Sequence, residues 1–340
     1  MSEPELTWRP TASLAALRRR AELNARLRAF FHRRGVLEVE TPLLSAATVT
    51  DPHLASVGVR LELPGGARGL HLQTSPEFHM KRLLAAGSGP IYQLFRAVRD
   101  GEAGRRHNPE FTLLEWYRPG FDHHALMDEV DELLADCLGS PPAERVTYAD
   151  AFGRHVGVDP HRADSDALRH AARAQGIEVA GMATADRDAW LDLLMVSCVE
   201  PHLGRSSGAD AAAEGAARPT FLYDYPASQA ALARVRAGEP PVAERFEVYV
   251  EGVELANGFH ELRDAVEQRR RFAADLETRR RLGVVRPSID ELLPDEHLLA
   301  ALEAGLPPCA GVALGVDRLA MLRDRAASIE EVLAFPIERA

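Results

Sequence analysis

Between Phe95 and Gly120 the chain reads FRAVRDGEAGRRHNPEFTLLEWYRPG. Two alternating apolar stretches enclose a bend that carries Arg99, Arg105, Arg106, His107 and Asn108, and the second stretch carries Glu115 and Tyr117. A solvated turn needs none of these groups. Guanidinium groups in a bend suit a polyanion, and a nearby carboxylate beside a phenol suits a cationic substrate. Strand side chains alternate between faces, so Phe111, Leu113, Glu115 and Tyr117 share one, and Glu110, Thr112, Leu114 and Trp116 the other. Taken alone, that pattern also fits a half-exposed sheet surface.

A second hairpin, RFEVYVEGVELANGF (245–259), adds a constraint. With Glu251–Gly252 as a two-residue bend, Tyr249 opposes Glu254 and Glu247 opposes Ala256. Glu247 and Glu254 are then diagonal neighbours on one face, about 7–8 Å apart at Cα. Two carboxylates at that reach repel unless a cation lies between them, and oxygen ligands beside phosphates suit Mg²⁺. Two solvent-facing glutamates on an edge strand are the plain alternative. In GVALGVDR (311–318), glycines permit close backbone approach, and Arg318 opens a helix, where N–H groups and a guanidinium both favour phosphate.

The elements that must position these groups are legible by period. Ser13 to Arg34 predicts a helix, with Leu14, Leu17, Ala21, Leu27 and Phe31 at helical spacing, Ser13 as N-cap and Gly35 as stop. VLEVETPLL (36–44) predicts a strand running past Pro42. HLQTSPEFHMKRLLAAG (71–87) predicts a strand, a corner at Ser75–Pro76, and a helix ending near Gly87. Ile91 to Arg99 and Glu110 to Arg118 are the first hairpin's strands, and Leu126 to Leu138 an amphipathic helix. Residues 140–204 read as mostly helical. GRSSGADAAAEGAARP (204–219) reads as a mobile loop, because the strand-like TFLYDY follows at once. Arg263 to Leu282 predicts a charged helix, and CAGVALGVDRLAML (309–322) a strand leading into a helix. Strands and helices cluster, which predicts an α+β fold with an antiparallel sheet and flanking helices.

Composition bounds the function. The 340 residues allow one large domain or two ordinary ones, and 46% hydrophobic with 27% charged residues predicts a globular chain. No apolar run approaches the ~20 residues of a membrane span, and MSEPELTWRP lacks a signal-peptide pattern. Cys137, Cys198 and Cys309 match no metal spacing and no disulfide framework, so a soluble cytoplasmic protein with buried thiols is expected. A net charge of −11 weighs against bulk RNA binding. The arginine runs at Arg18–Arg20, Arg269–Arg271 and Arg279–Arg281 read as solvated helix faces.

Three segments stand in the order of the class II aminoacyl-tRNA synthetase motifs. The segment ending VEVETPLL resembles motif 1, VRDGEAGRRHNPEFTLLEWY motif 2, and GVALGVDRLAML motif 3. TSPEFHMKRL, RHNPEFT and ELANGFHEL resemble the lysyl branch. Motif 1 begins near Arg20, which leaves no room ahead of it for the anticodon-binding domain of that branch. Residues 1–340 are therefore expected to form a single catalytic domain. LEWYRPGFD and YPASQAALAR are similar to a truncated offshoot that attaches β-lysine to a lysine of elongation factor P. Lysyl enzymes usually show alanine at the Ser75 position and glycine at the Ala313 position.

The resemblance implies ATP and Mg²⁺ as cofactors, elongation factor P as acceptor, and a homodimer built through motif 1. It implies that Arg99 holds the substrate carboxylate and the α-phosphate, that His107 and Asn108 contact ATP, and that Phe111 stacks on adenine. Asp100, Glu102 and Val248 complete the ATP site. Glu247 and Glu254 hold Mg²⁺, and Arg318 binds the γ-phosphate with Gly315 giving close approach. Ser75, Pro76, Glu77, Glu115, Tyr117, Glu254, Asn257, Glu261 and Ala313 surround the amino acid. Where the family reads R-N-E, this chain has Arg99-Asp100-Gly101. Either Glu102 takes over the contact to the adenine amino group, or adenine is held by stacking and backbone. A tRNA-linked lysyl transfer enzyme and a non-catalytic ATP-binding paralogue stay open as alternatives. Pyrophosphate exchange and the choice of acceptor separate them.

Overall fold

Ser13 accepts a hydrogen bond from the Ala16 amide and starts α1 (Leu14–Arg33), and Gly35 at φ 65° turns the chain out of it. The computed structural model describes residues 8–177, 186–205, 217–283 and 292–340. After α1 come β1 (Leu37–Glu38), β2 (Leu44–Ser45), β3 (Gly58–Leu63), β4 (Gly66–Leu72), α2 (Glu77–Ala85), and the first hairpin, β5 (Ile91–Val98) and β6 (Glu110–Pro119). Then follow α3 (His123–Leu138), β7 (Glu144–Thr147), α4 (Tyr148–His155), α5 (Ser165–Ala174), α6 (Arg187–Leu194), β8 (Thr220–Pro226) and β9 (Val235–Arg236). The second hairpin is β10 (Val242–Val250) and β11 (Val253–His260). It leads to α7 (Ala265–Leu282), α8 (Glu296–Gly305), β12 (Cys309–Gly315) and α9 (Val316–Asp324).

The main sheet runs β1-β5-β6-β12-β11-β10-β8-β7, with β9 beside β10, while β2-β4-β3 form a small sheet. Only β1–β5 and β7–β8 pair in parallel within the main sheet. Alternation decides what each face meets. Leu114, Trp116, Phe246 and Val248 pack with Leu27 and Phe31 of α1, Val130 of α3 and Leu319 of α9. On the other face, Ile91, Tyr117 and Cys309 meet Phe78 of α2, Phe272 of α7 and Leu299 of α8. Helices α4 to α6 close the β8–β10 end through Phe152, Leu168, Leu191, Leu222 and Tyr249. The α+β antiparallel expectation is met.

Four expectations need revision. The strand expected over 36–44 is split: two residues join the main sheet, the chain passes Pro42, and Leu44–Ser45 pairs in the small sheet instead. Residues 140–204 include the strand β7, whose four residues are too few to show a period. Cys137 and Cys309 are buried, but Cys198 is only half-buried. The arginine runs are solvated only in part: Arg18, Arg19, Arg269, Arg270, Arg280 and Arg281 are exposed, but Arg20, Arg271 and Arg279 are not. Arg279 is buried and donates to the carbonyls of Thr50, Asp51 and Leu54. Arg269 pairs with Glu296 at 2.7 Å, and Arg20 with Asp317 at 2.6 Å. The loop expected at 204–219 falls largely on residues 206–216, which lie outside the described residues.

Candidate active site

The face of the sheet that α1, α3 and α9 leave open carries a cleft of about 1320 Å³. Its basic end is built by the bend of the first hairpin and the start of α9. Arg99 lies over the Phe111 ring at 4.9 Å and donates to the Thr74 carbonyl at 3.4 Å. Arg318 donates to the Glu254 carbonyl at 2.7 Å and lies 2.6 Å from His107 Nε2. Burial, and then the charge of Arg318, hold His107 below the ordinary imidazole range, so a neutral ring accepts from the guanidinium. Arg106 also lines the cleft. Gly101, at φ 81°, makes the turn that a side chain would strain. Glu102 then lines the cleft 3.5 Å from Arg99, while Asp100 does not reach it.

The carboxylate pair stands on β10 and β11. Tyr249 does oppose Glu254, but Val248 opposes Ala256, so Leu255 is an extra residue and Glu247 opposes Asn257 rather than Ala256. The bulge keeps Glu247 and Glu254 on the cleft face. Glu247 accepts from Arg245 and from the Tyr249 hydroxyl, each at 2.5 Å. Enclosure in the cleft, and then the charge of Glu247, push Glu254 up to about 7, although 41% of its side chain still meets the cleft's water.

Beneath the other end lies a buried acidic floor. Ser75 donates to Glu115 Oε2 and the Tyr117 hydroxyl to Glu115 Oε1, both at 2.7 Å. The Lys81 ammonium sits 2.6 Å from Glu77 and 2.5 Å from Glu261. Lys81, Glu115, Tyr117 and Glu261 are each at most 2% exposed. Burial alone would pull Lys81 down, but Glu261 and Glu77 more than offset it and hold it well above the usual range. Three carboxylates share this one ammonium. Burial, with Glu77 adding to it, raises Glu115 to about 7; burial raises Glu261 to about 8 against the pull of Lys81. A floor that holds protons near neutrality is short of positive charge.

Asn108, Ala313 and Gly315 line the cleft as expected, whereas Val248 and Pro76 do not. Val248 is fully buried in the core on the far face, so its side chain cannot meet ATP. Asn108 spends its amide on the Glu110 carbonyl and the Ile337 amide, and so fixes the loop. Pro76 is the N-cap of α2 and does not line the cleft. A Cβ on Gly315 would meet Arg318 at 3.7 Å, an ordinary contact, so the fold itself does not demand glycine there. Ala313 is flanked in the sheet by Glu115 and Asn257. Lys81, Arg245, Asp317 and Gly311 were not anticipated. Asp317 ties α9 to β6 by accepting from the Thr112 amide at 2.8 Å. A Cβ on Gly311 would fall 2.2 Å from the Tyr117 ring and 2.7 Å from Glu261. Lys81, four residues after Glu77, carried the one readable signal: an i,i+4 acid–base pair on a helix.

The sheet, the two hairpins and the arginine at the head of α9 define a class II synthetase catalytic fold. The family of class II tRNA synthetases (D, K and N) matches residues 2–339, and the chain belongs to it. The elongation factor P–(R)-β-lysine ligase of Salmonella paratyphi B is 51% identical over 336 residues, covering 98% of each chain. The proteins of the same name from Salmonella enteritidis and Salmonella typhimurium match equally.

Proposed function

We propose that this chain is an ATP-dependent ligase that activates (R)-β-lysine as its adenylate and passes it to a lysine side chain of elongation factor P. The carrying observation is the cleft's two poles: guanidinium groups at one end, and at the other the buried Glu115 and Glu261 and the half-buried Glu77, with one ammonium among them. A diamino acid joined to AMP as a mixed anhydride spans such a pair. The substrate carboxylate attacks the α-phosphorus, the bond to the bridging oxygen breaks, and pyrophosphate leaves. The acceptor amine then attacks the acyl carbon and AMP departs. Arg99 and Arg318 stabilise phosphate charge already in place, so catalysis is positioning and charge neutralisation. Glu102, Phe111 and His107 bound the nucleotide end, and Glu77, Asn257 and Ala313 the amino-acid end. The crowding of Glu254 by Glu247 fits a divalent cation, and Mg²⁺ there would neutralise phosphate charge.

One catalytic unit, working in the cytoplasm as a homodimer through the motif 1 region, fits the exposed Leu37 beside α1. Among the described residues no helix is long and apolar enough to cross a membrane. The 51% relatives and the charge of −11 favour a protein acceptor over tRNA. The test is pyrophosphate exchange with (R)-β-lysine, followed by transfer to purified elongation factor P or to lysine tRNA. Exchange with transfer to the protein alone is the expected result. Transfer to tRNA would overturn the acceptor, and absence of exchange would leave only a nucleotide-binding paralogue.

A further inference from the structure

A second polar cluster lies on the opposite face of the sheet from the cleft. Along β10, Arg245 and Glu247 turn to the cleft, while Glu244 turns away with Phe246 and Val248. Along β11, Asn257 and Phe259 line the cleft, and His260 turns away. There Glu244 and His260 meet His123, the first residue of α3. One ligand atom from each of the three lies within 4.8 Å of the other two. Asp224 of β8 adds a carboxylate, with Oδ1 3.8 Å from His123 Nε2. None of these residues serves the reaction derived above.

The cluster is buried and unsatisfied. Both ring nitrogens of His123, Oδ1 of Asp224, Oε2 of Glu244 and Nδ1 of His260 are buried without a hydrogen-bond partner. Leaving buried polar atoms unpaired is costly, and both His123 nitrogens and Asp224 Oδ1 are left so, which calls for an occupant. His260 Nδ1 and Glu244 Oε2 stand 2.7 Å apart without hydrogen-bond geometry. The other carboxylate oxygens are held from outside. Arg236 donates to Asp224 Oδ2 at 2.7 Å and lies 3.5 Å from Glu244 Oε1. Ligating carboxylates are usually held in this way by hydrogen bonds from outside the metal site. Arg234, more than half exposed, lies 3.5 Å from Glu244 Oε2. Asp224 itself holds φ 59°, a conformation a non-glycine residue adopts at a cost.

We propose that His123, His260, Glu244 and Asp224 form a structural Zn²⁺ site. Two imidazoles and two carboxylates match the N/O ligands that zinc takes in four-coordinate geometry. Bond lengths of about 2.0–2.1 Å place tetrahedral ligand atoms roughly 3.3 Å apart, so an ion would open the 2.7 Å His260–Glu244 contact slightly and draw His123 and Asp224, 3.8 Å apart, a little closer. The ion would pin the start of α3 to the ends of β8 and β11. His260 precedes Glu261, so the same ion would steady the acidic floor from behind.

The test is titration of the chelator-treated full chain with Zn²⁺ by calorimetry, alongside the Co²⁺ absorption spectrum and a thermal melt. The expected result is one equivalent bound with sub-micromolar Kd, tetrahedral Co²⁺ bands, and a rise in Tm on adding Zn²⁺. His123→Ala and the near-isosteric Glu244→Gln should each weaken binding by at least about 100-fold, since even outer-layer losses cost 10–100-fold. His124→Ala, on the same turn but outside the cluster, should bind as the parent does. Absence of saturable Zn²⁺ binding in the parent would overturn the site and leave a histidine–carboxylate cluster bridged by protons. So would binding that both His123→Ala and Glu244→Gln retain, which would place the metal at Glu247 and Glu254 instead.

Discussion

Arg99 is the guanidinium that the cleft can least replace. Its stack on Phe111 and its bond to the Thr74 carbonyl fix it before any ligand arrives. Losing one preorganised donor of this kind costs about 10²–10³ in rate. Arg99→Ala should therefore lower kcat for pyrophosphate exchange by that factor while leaving the melting temperature nearly unchanged. Near-parental exchange would remove the first hairpin from the chemistry. On the proposed function, substrate choice would rest on a subtler pair. The Ser75 hydroxyl donates to Glu115 rather than standing idle for a substrate amine, so it acts by orienting that carboxylate. Ala313 places a methyl between Glu115 and Asn257. Removing both groups, as Ser75→Ala with Ala313→Gly, opens the position where an α-amine differs from a β-amine. One methylene of packing is worth about 1–3 kcal/mol, or roughly 10–200-fold. The ratio of kcat/KM for (R)-β-lysine over α-lysine should fall by at least about tenfold in the double variant. A constant ratio would show that these two positions do not read the amine.

At the level of elements, the demand that matters most is on β12. Gly311 sits opposite Tyr117 on one side and Phe259 on the other, and the Tyr117 ring fills the space where a side chain would be. Gly311→Ala forces the ring, and with it Glu115, to shift. Overpacking of this kind costs about 1–3 kcal/mol. A urea melt should show that loss, and KM for the amino acid should rise more than KM for ATP, because the Tyr117–Glu115 bond lies in the floor. Equal changes in both KM values would mean that Gly311 serves only the fold. The sequence shows that both glycines of GVALG permit close approach, but not which of them a ring fills, because a clash depends on which ring lies across the strand. The hairpins themselves were legible, since alternation over Ile91 to Val98 and Glu110 to Pro119 is long and regular. The bulge at Leu255 was not, because a one-residue slip leaves the residue pattern unchanged while moving Glu247 from Ala256 to Asn257. The place of Lys81 is not legible either, because a lysine on a helix is usually solvated and only the packing of α2 against the sheet buries it.

For the molecule as a whole, the acidic floor links substrate binding to pH. Glu115 and Glu261 are raised to about 7 and about 8 by burial, from 4.5 in the unfolded chain. The folded protein therefore binds more protons than the unfolded one from about pH 4.5 to 8. By linkage, these two groups favour folding below that window and progressively oppose it as pH rises through it. An arriving ammonium reverses the sign locally, because it favours the ionised carboxylates and expels their protons. The side-chain ammonium of a lysine-type substrate stays charged throughout this range, so the titrating groups are Glu115 and Glu261 of the floor together with Glu254 in the same cleft. Affinity for (R)-β-lysine should then rise between pH 6 and pH 8, by at most about tenfold per pH unit for each proton released. Calorimetry in buffers of different ionisation enthalpy counts those protons directly. Glu261→Gln should weaken binding and flatten the pH dependence together, since it removes both the attraction and one titrating group. The ligand-induced rise in Tm should likewise be larger at pH 8 than at pH 6. An affinity that is constant over this interval, with no proton released, would mean that the substrate's ammonium does not reach the floor, and the amino-acid pole of the cleft would have to be sought elsewhere.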